Sequence, residues 1–235
     1  MKALILAAGK GSRLYPITKE IPKALVEINN IPIIFNQINC LYDCGINDIT
    51  IVVGYKGDIL SKRILDVFPN INIINNSNFD KTNNMYSAYL AKDYFNDDFI
   101  MMNSDVFFDM SVIKALVHDK QKNLIVTDIN NYLDESMKIK VNDNKVTEIS
   151  KLINKEEAYG TSIDVYKFSK KAGQFFFDKC TDYINKNELC LWSEVALNDI
   201  LKEVEFIPCK IDGRWYEIDN VDDLNNAQRI FSIKD

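Results

Sequence analysis

The 235-residue chain has a single histidine, His118, and only five cysteines, with no C-x-x-C pair among them. A multi-histidine metal site or a histidine-based triad is therefore hard to build, and His118 itself reads as a surface residue at a helix end. An odd number of scattered cysteines makes no disulfide framework. Cys40 and Cys44, at i and i+4 on an expected helix, read as packing residues rather than ligands. No segment approaches the roughly 20 apolar residues of a membrane span, and the N-terminal apolar stretch is too short for a signal peptide. Cations are in deficit, 28 Lys and Arg against 34 Asp and Glu for a net charge of −6. That excludes the basic stripe needed for non-specific binding to nucleic acid or an anionic membrane. There is no low-complexity linker and no internal repeat. A cytoplasmic protein is expected, and its chemistry must run on carboxylates, cations and backbone groups.

What the chain does have is concentrated in its first 26 residues. A hydrophobic run, Lys2-Ala3-Leu4-Ile5-Leu6, leads into Ala7-Ala8-Gly9-Lys10-Gly11-Ser12-Arg13-Leu14 and then Pro22-Lys23-Ala24-Leu25-Val26. A strand that ends in small residues brings its loop to the edge of a sheet. Gly9 and Gly11 let backbone N–H groups approach phosphate oxygens with no Cβ in the way, and Arg13 and Lys23 add fixed positive charge. The loop is built for a nucleoside triphosphate. It is not a dinucleotide-binding fingerprint, because Leu14 stands where a third glycine is needed and the second strand ends in Gly54-Tyr55-Lys56 with no ribose carboxylate. Nor is it a Walker loop, since Gly-Lys-Ser/Thr is missing after four spacers.

The first half alternates strands and helices. Strands are expected near 2–7, 48–54, 71–75 and 98–103, with helices near 32–44, 57–67 and 83–96, a pattern of βαβ units and a mostly parallel sheet. Ligands on such sheets bind at the carboxyl ends of the strands, where the glycine loop and Asn103-Ser104-Asp105 both fall. In the second half, strands are expected at 123–129, 137–142, 145–149, 161–168 and 205–211, with a turn at Asn142-Asp143-Asn144. Helices are expected at 169–186, 192–203 and 221–231. Residues 1–129 thus read as a nucleotide-binding half and 130–235 as an acceptor-side half of one domain.

LAAGKGSRL followed by PKALV resembles the signature of the nucleotidyltransferases with a Rossmann-like, GT-A-type fold: a mixed, mostly parallel sheet flanked by helices with a small acceptor-side subdomain. The resemblance implies transfer of a nucleoside monophosphate from a triphosphate to a phosphorylated small molecule. It also implies that Asp105, at the end of an apolar strand, and Asp219, before the last helix, jointly hold Mg²⁺. Asp219 equally suits a helix cap, and the sequence does not show that the two aspartates meet. A phosphomonoester has a second pKa of about 6, so the acceptor is already a nucleophile at neutral pH and needs no general base.

Thr82-Asn83-Asn84-Met85-Tyr86-Ser87-Ala88-Tyr89-Leu90 and Tyr216-Glu217-Ile218-Asp219 sharpen the resemblance. They look like the bacterial CTP:phosphocholine cytidylyltransferases and their close relatives, over nearly the whole chain. That likeness implies a cytosine read by the backbone of Leu6, Ala7, Ala8 and Gly9 and by Asn83, Asn84 and Ser87, with Gly11 and Ser12 on the phosphates. Trp192 and Glu217 are expected on the acceptor side, with Trp215 and Tyr216 either there or in the core. Glu148-Ile149-Ser150-Lys151 resembles a sugar-nucleotidyltransferase element in which Glu148 and Lys151 touch the acceptor, and also suits an exposed hairpin end. A choline acceptor needs an aromatic cage. Here Met137 aligns where a tryptophan is expected and Leu191 where a tyrosine is expected. The remaining polar set, Asp134, Glu135, Ser193, Glu194 and Glu217, suits a primary ammonium or an amide. A CTP:phosphoglutamine cytidylyltransferase, of the kind that feeds capsule phosphoramidate synthesis, fits this set better. The partners implied are CTP and a small phosphorylated acceptor, with a homodimer left open. A phosphocholine cytidylyltransferase, a sugar-1-phosphate nucleotidyltransferase and a non-catalytic nucleotide-sensing scaffold are the alternatives. The last would be expected to lose the metal carboxylate or the phosphate cations.

Overall fold

The N-terminal run forms β1 (Lys2–Ala7), flanked in parallel on one side by β4 and on the other by β6. Ala3, Leu4 and Ile5 are fully buried. A parallel strand covered on both faces has no solvent side, which is why this one shows no polar alternation. The computed structural model describes residues 1–132 and 135–232. After β1 come α1 (Ile17–Glu20), the short pair β2 (Glu27–Ile28) and β3 (Ile31–Pro32), α2 (Ile33–Asp43), β4 (Asp48–Val53), α3 (Gly57–Leu65) and β5 (Asn72–Asn75). Then follow α4 (Asn84–Leu90), β6 (Phe99–Asn103), β7 (Val106–Phe108), α5 (Ser111–His118), β8 (Leu124–Asp128), β9 (Lys138–Asn142), β10 (Lys145–Ser150) and β11 (Gly160–Phe168). The chain ends with α6 (Lys170–Asn185), α7 (Ser193–Ile200), β12 (Ile207–Lys210), β13 (Trp215–Glu217) and α8 (Val221–Ile230).

The described residues form a nine-stranded sheet in the order β10-β9-β11-β6-β1-β4-β5, with β8 joining β11 to β12. The β1, β4, β5 and β6 strands are parallel, as expected from the alternation of elements. β11 pairs antiparallel with β6, β8 and β9, and β12 runs parallel to β8 at the far side. The acceptor-side strands therefore continue the first sheet. Alternate residues of β1 feed the two faces. Ala3 and Ile5 pack in a core that includes Ile34, Ile38, Leu60 and Val112, whereas Leu4 and Leu6 pack with Met85, Phe99, Phe176 and Leu197.

Three features depart from the sequence expectations. The helix expected over 83–96 stops at Leu90, and the chain tightens into a 3₁₀ turn over Lys92–Tyr94. That turn drives Phe95 inward against Phe99, with ring centroids 4.9 Å apart. The β2–β3 hairpin was not expected. It turns on Asn29 and Asn30, both with positive φ (49° and 67°), the conformation that a two-residue primed turn requires. The strand expected near 98–103 ends at Asn103, but the chain then turns at Ser104-Asp105 into β7, a strand that was not expected, before α5, the helix that His118 ends. His118 ends α5 and is exposed, as expected. Cys40 is buried and Cys44 half-buried, both free.

Candidate active site

The carboxyl ends of β1 and β6 open onto a cavity of about 390 Å³, within the size range of small-molecule sites. Its floor is the glycine loop. Among the described residues, the N–H groups of Gly9, Lys10 and Gly11 donate to no backbone carbonyl, and the first of the following N–H groups to do so outside a helix turn is Leu14, to Gly11 O at 3.0 Å. Gly11 is left-handed (φ 61°), and a Cβ there would lie 2.8 Å from Lys23 Cβ. A Cβ at Gly9 would meet nothing within 4 Å. Packing therefore does not require that glycine, whereas an anion seated on the free N–H groups would. Buried Thr18, which the sequence reading missed, ties the loop down by donating its hydroxyl to Gly11 O at 2.8 Å.

The fixed cations and the two aspartates meet. Lys23 Nζ lies 2.9 Å from Asp105 Oδ2 and 2.8 Å from Asp219 Oδ1, and Arg13 Nη2 lies 2.8 Å from Asp219 Oδ2. The β7–β13 ladder makes this possible. It sets Glu217 opposite Val106, and one step further the N–H of Ile218 donates to Asp105 O at 2.9 Å. Fully buried Gln37, also missed, clamps the turn before β7 by donating to both Asn103 O and Val106 O at 2.8 Å. Asp219 does not cap α8. Asn220 does, in a capping box with Asp223. Asp105, Glu217 and Asp219 each bring one carboxylate oxygen within 4.8 Å of the others, and Asp105 Oδ1 is buried without a hydrogen-bond partner. Hard oxygen donors gathered this way, one of them orphaned, fit Mg²⁺.

Charge is distributed unevenly over this cluster. Burial opposes the charged form of Asp219, but Lys23 and Arg13 outweigh it and hold the carboxyl below its ordinary range. Burial would likewise lower the Lys23 pKa, and the two aspartates reverse that and raise it. Burial, together with the Asp105 and Asp219 charges, pushes the Glu217 carboxyl up to about 7. Glu217 also accepts a hydrogen bond from Ser136 Oγ at 2.8 Å.

The far wall is built by β6, β11, α4 and α7. Asn103 donates to Asp164 Oδ2 at 3.0 Å, and the Tyr166 hydroxyl lies 3.0 Å from Asp164 Oδ1 and 2.9 Å from Glu194 Oε1. Asp164 is left-handed (φ 57°) inside a strand, where the β11–β8 register shifts between Ser162 and Tyr166. Burial raises both the Asp164 and the Glu194 carboxyl, and their mutual repulsion adds to it at Asp164. The sequence reading put Asn103 at the ligand-binding edge without a role and missed Asp164 and Tyr166. A lone aspartate in an apolar strand was the available signal.

Leu6, Ala7, Ala8, Gly9, Gly11, Ser12, Arg13, Lys23, Asn83, Asn84, Ser87, Asp105, Lys151, Trp192, Glu217 and Asp219 all line the cavity. The side chains expected to read the base are partly engaged elsewhere. Asn83 Oδ1 caps α4, Ser87 accepts from Asn76 Nδ2 at 3.1 Å, and Asn84 spends both ends of its carboxamide on protein partners. Glu148 does not line the cavity. It pairs with Lys140 at 3.3 Å on the β9–β10 hairpin, because the pleat points it away from Lys151. Trp215 is buried and Tyr216 half-buried, and neither lines the cavity. Trp215 Nε1 donates to Asp128 at 2.7 Å, and Tyr216 packs against the cluster that includes Leu14 and Ile218. Leu191 packs in the second core. Met137 and Trp192 do face the cavity, with Lys151 Nζ 5.2 Å from the Trp192 ring centre. Asp134 lies outside the described residues.

A sheet edge carrying a free-amide glycine loop, two cations and a carboxylate cluster defines a nucleotide-dependent transferase. The profile of the nucleotidyl transferase family matches residues 2–227, and the chain belongs to that family. It is 32% identical to the CTP:phosphoglutamine cytidylyltransferase of Campylobacter jejuni, covering 95% of this chain and 98% of that one. It is 30% identical to the choline-phosphate cytidylyltransferase of Streptococcus pneumoniae, covering 98% of each. In fold it matches the solved structure of the CTP:phosphocholine cytidylyltransferase from Streptococcus pneumoniae, with a TM-score of 0.84 at 24% identity over 98% of this chain and 99% of that one. No helix among the described residues is long and apolar enough to cross a membrane.

Proposed function

We propose that the protein transfers CMP from CTP to the phosphate of a small acceptor that carries N–H donors, with L-glutamine phosphate the best candidate, and releases pyrophosphate. The observation that carries this reading is the make-up of the one cavity. Phosphate-binding amides and cations stand at one end, and a wall of oxygen acceptors stands at the other with a single tryptophan. The glycine-loop N–H groups, Arg13 and Lys23 bind the triphosphate and stabilise charge that develops on the transferred group and on the leaving pyrophosphate. Asp105 and Asp219, with Glu217 beside them, would hold Mg²⁺, which when bound adds electrostatic stabilisation to the same oxygens. Lys151, on the cavity wall beside Trp192, would meet the acceptor phosphate. That phosphate attacks the α-phosphorus directly, so the chain needs no general base, in keeping with its one distant histidine.

Among the described residues, the aromatics on the cavity wall are Phe79, on the nucleotide side, and Trp192, which is 45% exposed. One exposed tryptophan does not enclose a trimethylammonium group, each aromatic contact being worth about 0.5–2 kcal/mol. Asp164 and Glu194 instead suit an ammonium or a carboxamide. The test is pyrophosphate release with CTP and Mg²⁺ against phosphoglutamine, phosphoethanolamine, phosphocholine and glucose-1-phosphate. Turnover with the N–H-bearing acceptors is expected. Turnover with phosphocholine alone would show that the cage argument fails, and turnover with the sugar phosphate alone would move the chain to the sugar nucleotidyltransferases.

A further inference from the structure

Asn84 faces the cavity from the first turn of α4, yet both ends of its carboxamide are held by protein partners. Its Oδ1 accepts the backbone N–H of Ser193, the first residue of α7, at 2.8 Å. Its Nδ2 donates to Asn103 Oδ1 at 3.3 Å. Because a backbone N–H can only donate, the orientation of Asn84 is determined, and that determines Asn103. The Asn103 oxygen must face Asn84, so its Nδ2 faces Asp164 Oδ2 at 3.0 Å. One backbone amide thus sets the polarity of a relay that crosses from the nucleotide-side helix to the acceptor-side wall. The loops that lead into Asn84 and Ser193 are fastened to each other as well. Asn83 N donates to Leu189 O at 3.0 Å, and the Cys190 thiol donates to Lys81 O at 3.2 Å.

We propose that Asn84 is a positioning residue for the acceptor: through Asn103 it orients the Asp164 carboxylate toward the acceptor end of the cavity and does not read the nucleotide base. This rests on the proposed function for the identity of the two ends, and it makes a separate prediction. In Asn84→Asp the oxygen that accepts from Ser193 is kept, but a second oxygen then faces Asn103 Oδ1. Asn103 must turn over, which sets its own oxygen against Asp164. The expected result is an acceptor KM raised about tenfold, the scale of one hydrogen bond lost to a charged group, with the Kd for CTP, measured by calorimetry, within about twofold of wild type. Adding Asp164→Asn to Asn84→Asp repairs both contacts, since an amide at 164 can donate to the turned Asn103. Asparagine is also well suited to the left-handed backbone there. The double variant is expected to recover the wild-type Tm while the acceptor KM stays high. Asp164→Asn alone, which keeps size and backbone preference, is expected to raise the acceptor KM in the same way. A rise in the Kd for CTP with an unchanged acceptor KM would overturn the proposal by making Asn84 a base reader. Recovery of the acceptor KM together with Tm in the double variant would also overturn it, by making the relay merely structural. Turnover by the unaltered protein tests the proposed function separately, whereas the variant-to-wild-type comparison tests only the relay.

Discussion

Lys23 bridges two aspartates that would otherwise repel each other, and it does so at the base of the phosphate loop. Losing it removes a cation from the reacting phosphates, and Lys23→Met is expected to lower kcat about 10²–10³-fold. Steady-state pyrophosphate release checks this, and a loss of less than tenfold would take Lys23 out of the chemistry. Asp164 works in the opposite sense. Its pKa in the folded protein lies well above its ordinary value because of burial and the neighbouring Glu194 and Glu217 carboxyls. The folded state therefore holds a proton that the unfolded chain gives up at lower pH. Stability that is present below the ordinary carboxylate pKa of about 4 is lost as pH rises through the elevated one. Asp164→Asn removes that loss. Thermal melts from pH 4 to 8 are expected to show the variant gaining on wild type as pH rises, and parallel melting curves would contradict it. A more stable protein with a weaker acceptor site is the usual trade at a functional carboxylate.

At the scale of elements, the decisive contact is the three-residue ladder of β7 with β13. It joins residues more than a hundred positions apart and brings Asp105 to Asp219. This is where sequence reading stopped. Val106–Phe108 is too short to show a period, and its pairing depends on a turn held by Gln37 from another helix. Gln37→Leu would leave the carbonyls of Asn103 and Val106 without these donors, at a cost of roughly 1–3 kcal/mol if they stay buried and unpaired. The expected result is a lower Tm and a loss of kcat that persists at temperatures where the variant is fully folded. Normal kcat in the folded variant would show that the turn holds itself. By contrast, β1 and its loop were legible because a doubly buried parallel strand is a continuous apolar run, and free-amide glycines have few other uses. The turn at Asp143-Asn144 was legible for a similar reason, since both residues are left-handed (φ 48° and 62°) and only a few residue types accept that. The hairpin at Asn29-Asn30 carried the same kind of signal and was missed, because strands of two residues leave no pattern on either side.

Over the whole molecule, one sheet carries both ends of the cavity. Its parallel centre presents the glycine loop, and its flank beyond β6 presents Asp164 and Tyr166, so that in the proposed function nucleotide and acceptor would meet over β6 without a separate acceptor sheet. Arg13, Lys23, Asp105 and Asp219 could be singled out from their positions beside strand ends, and they converge. Glu194 was named in the polar set for the acceptor, but its grouping with Asp164 and Asn103 could not be read, because the strands that carry those two meet only through the order β11-β6-β1. Glu148 shows the converse: its motif suited either an acceptor contact or an exposed hairpin end, and the side chain stands outside the cavity, paired with Lys140. The central claim is that this cavity joins the α-phosphorus of CTP to the phosphate of an N–H-bearing acceptor. A ³¹P NMR time course of CTP, Mg²⁺ and phosphoglutamine with the protein tests it most directly. The expected spectrum gains pyrophosphate and, in equal amount, the paired resonances of a new phosphoanhydride. Orthophosphate with CDP, or a spectrum that stays that of the starting mixture, would contradict it.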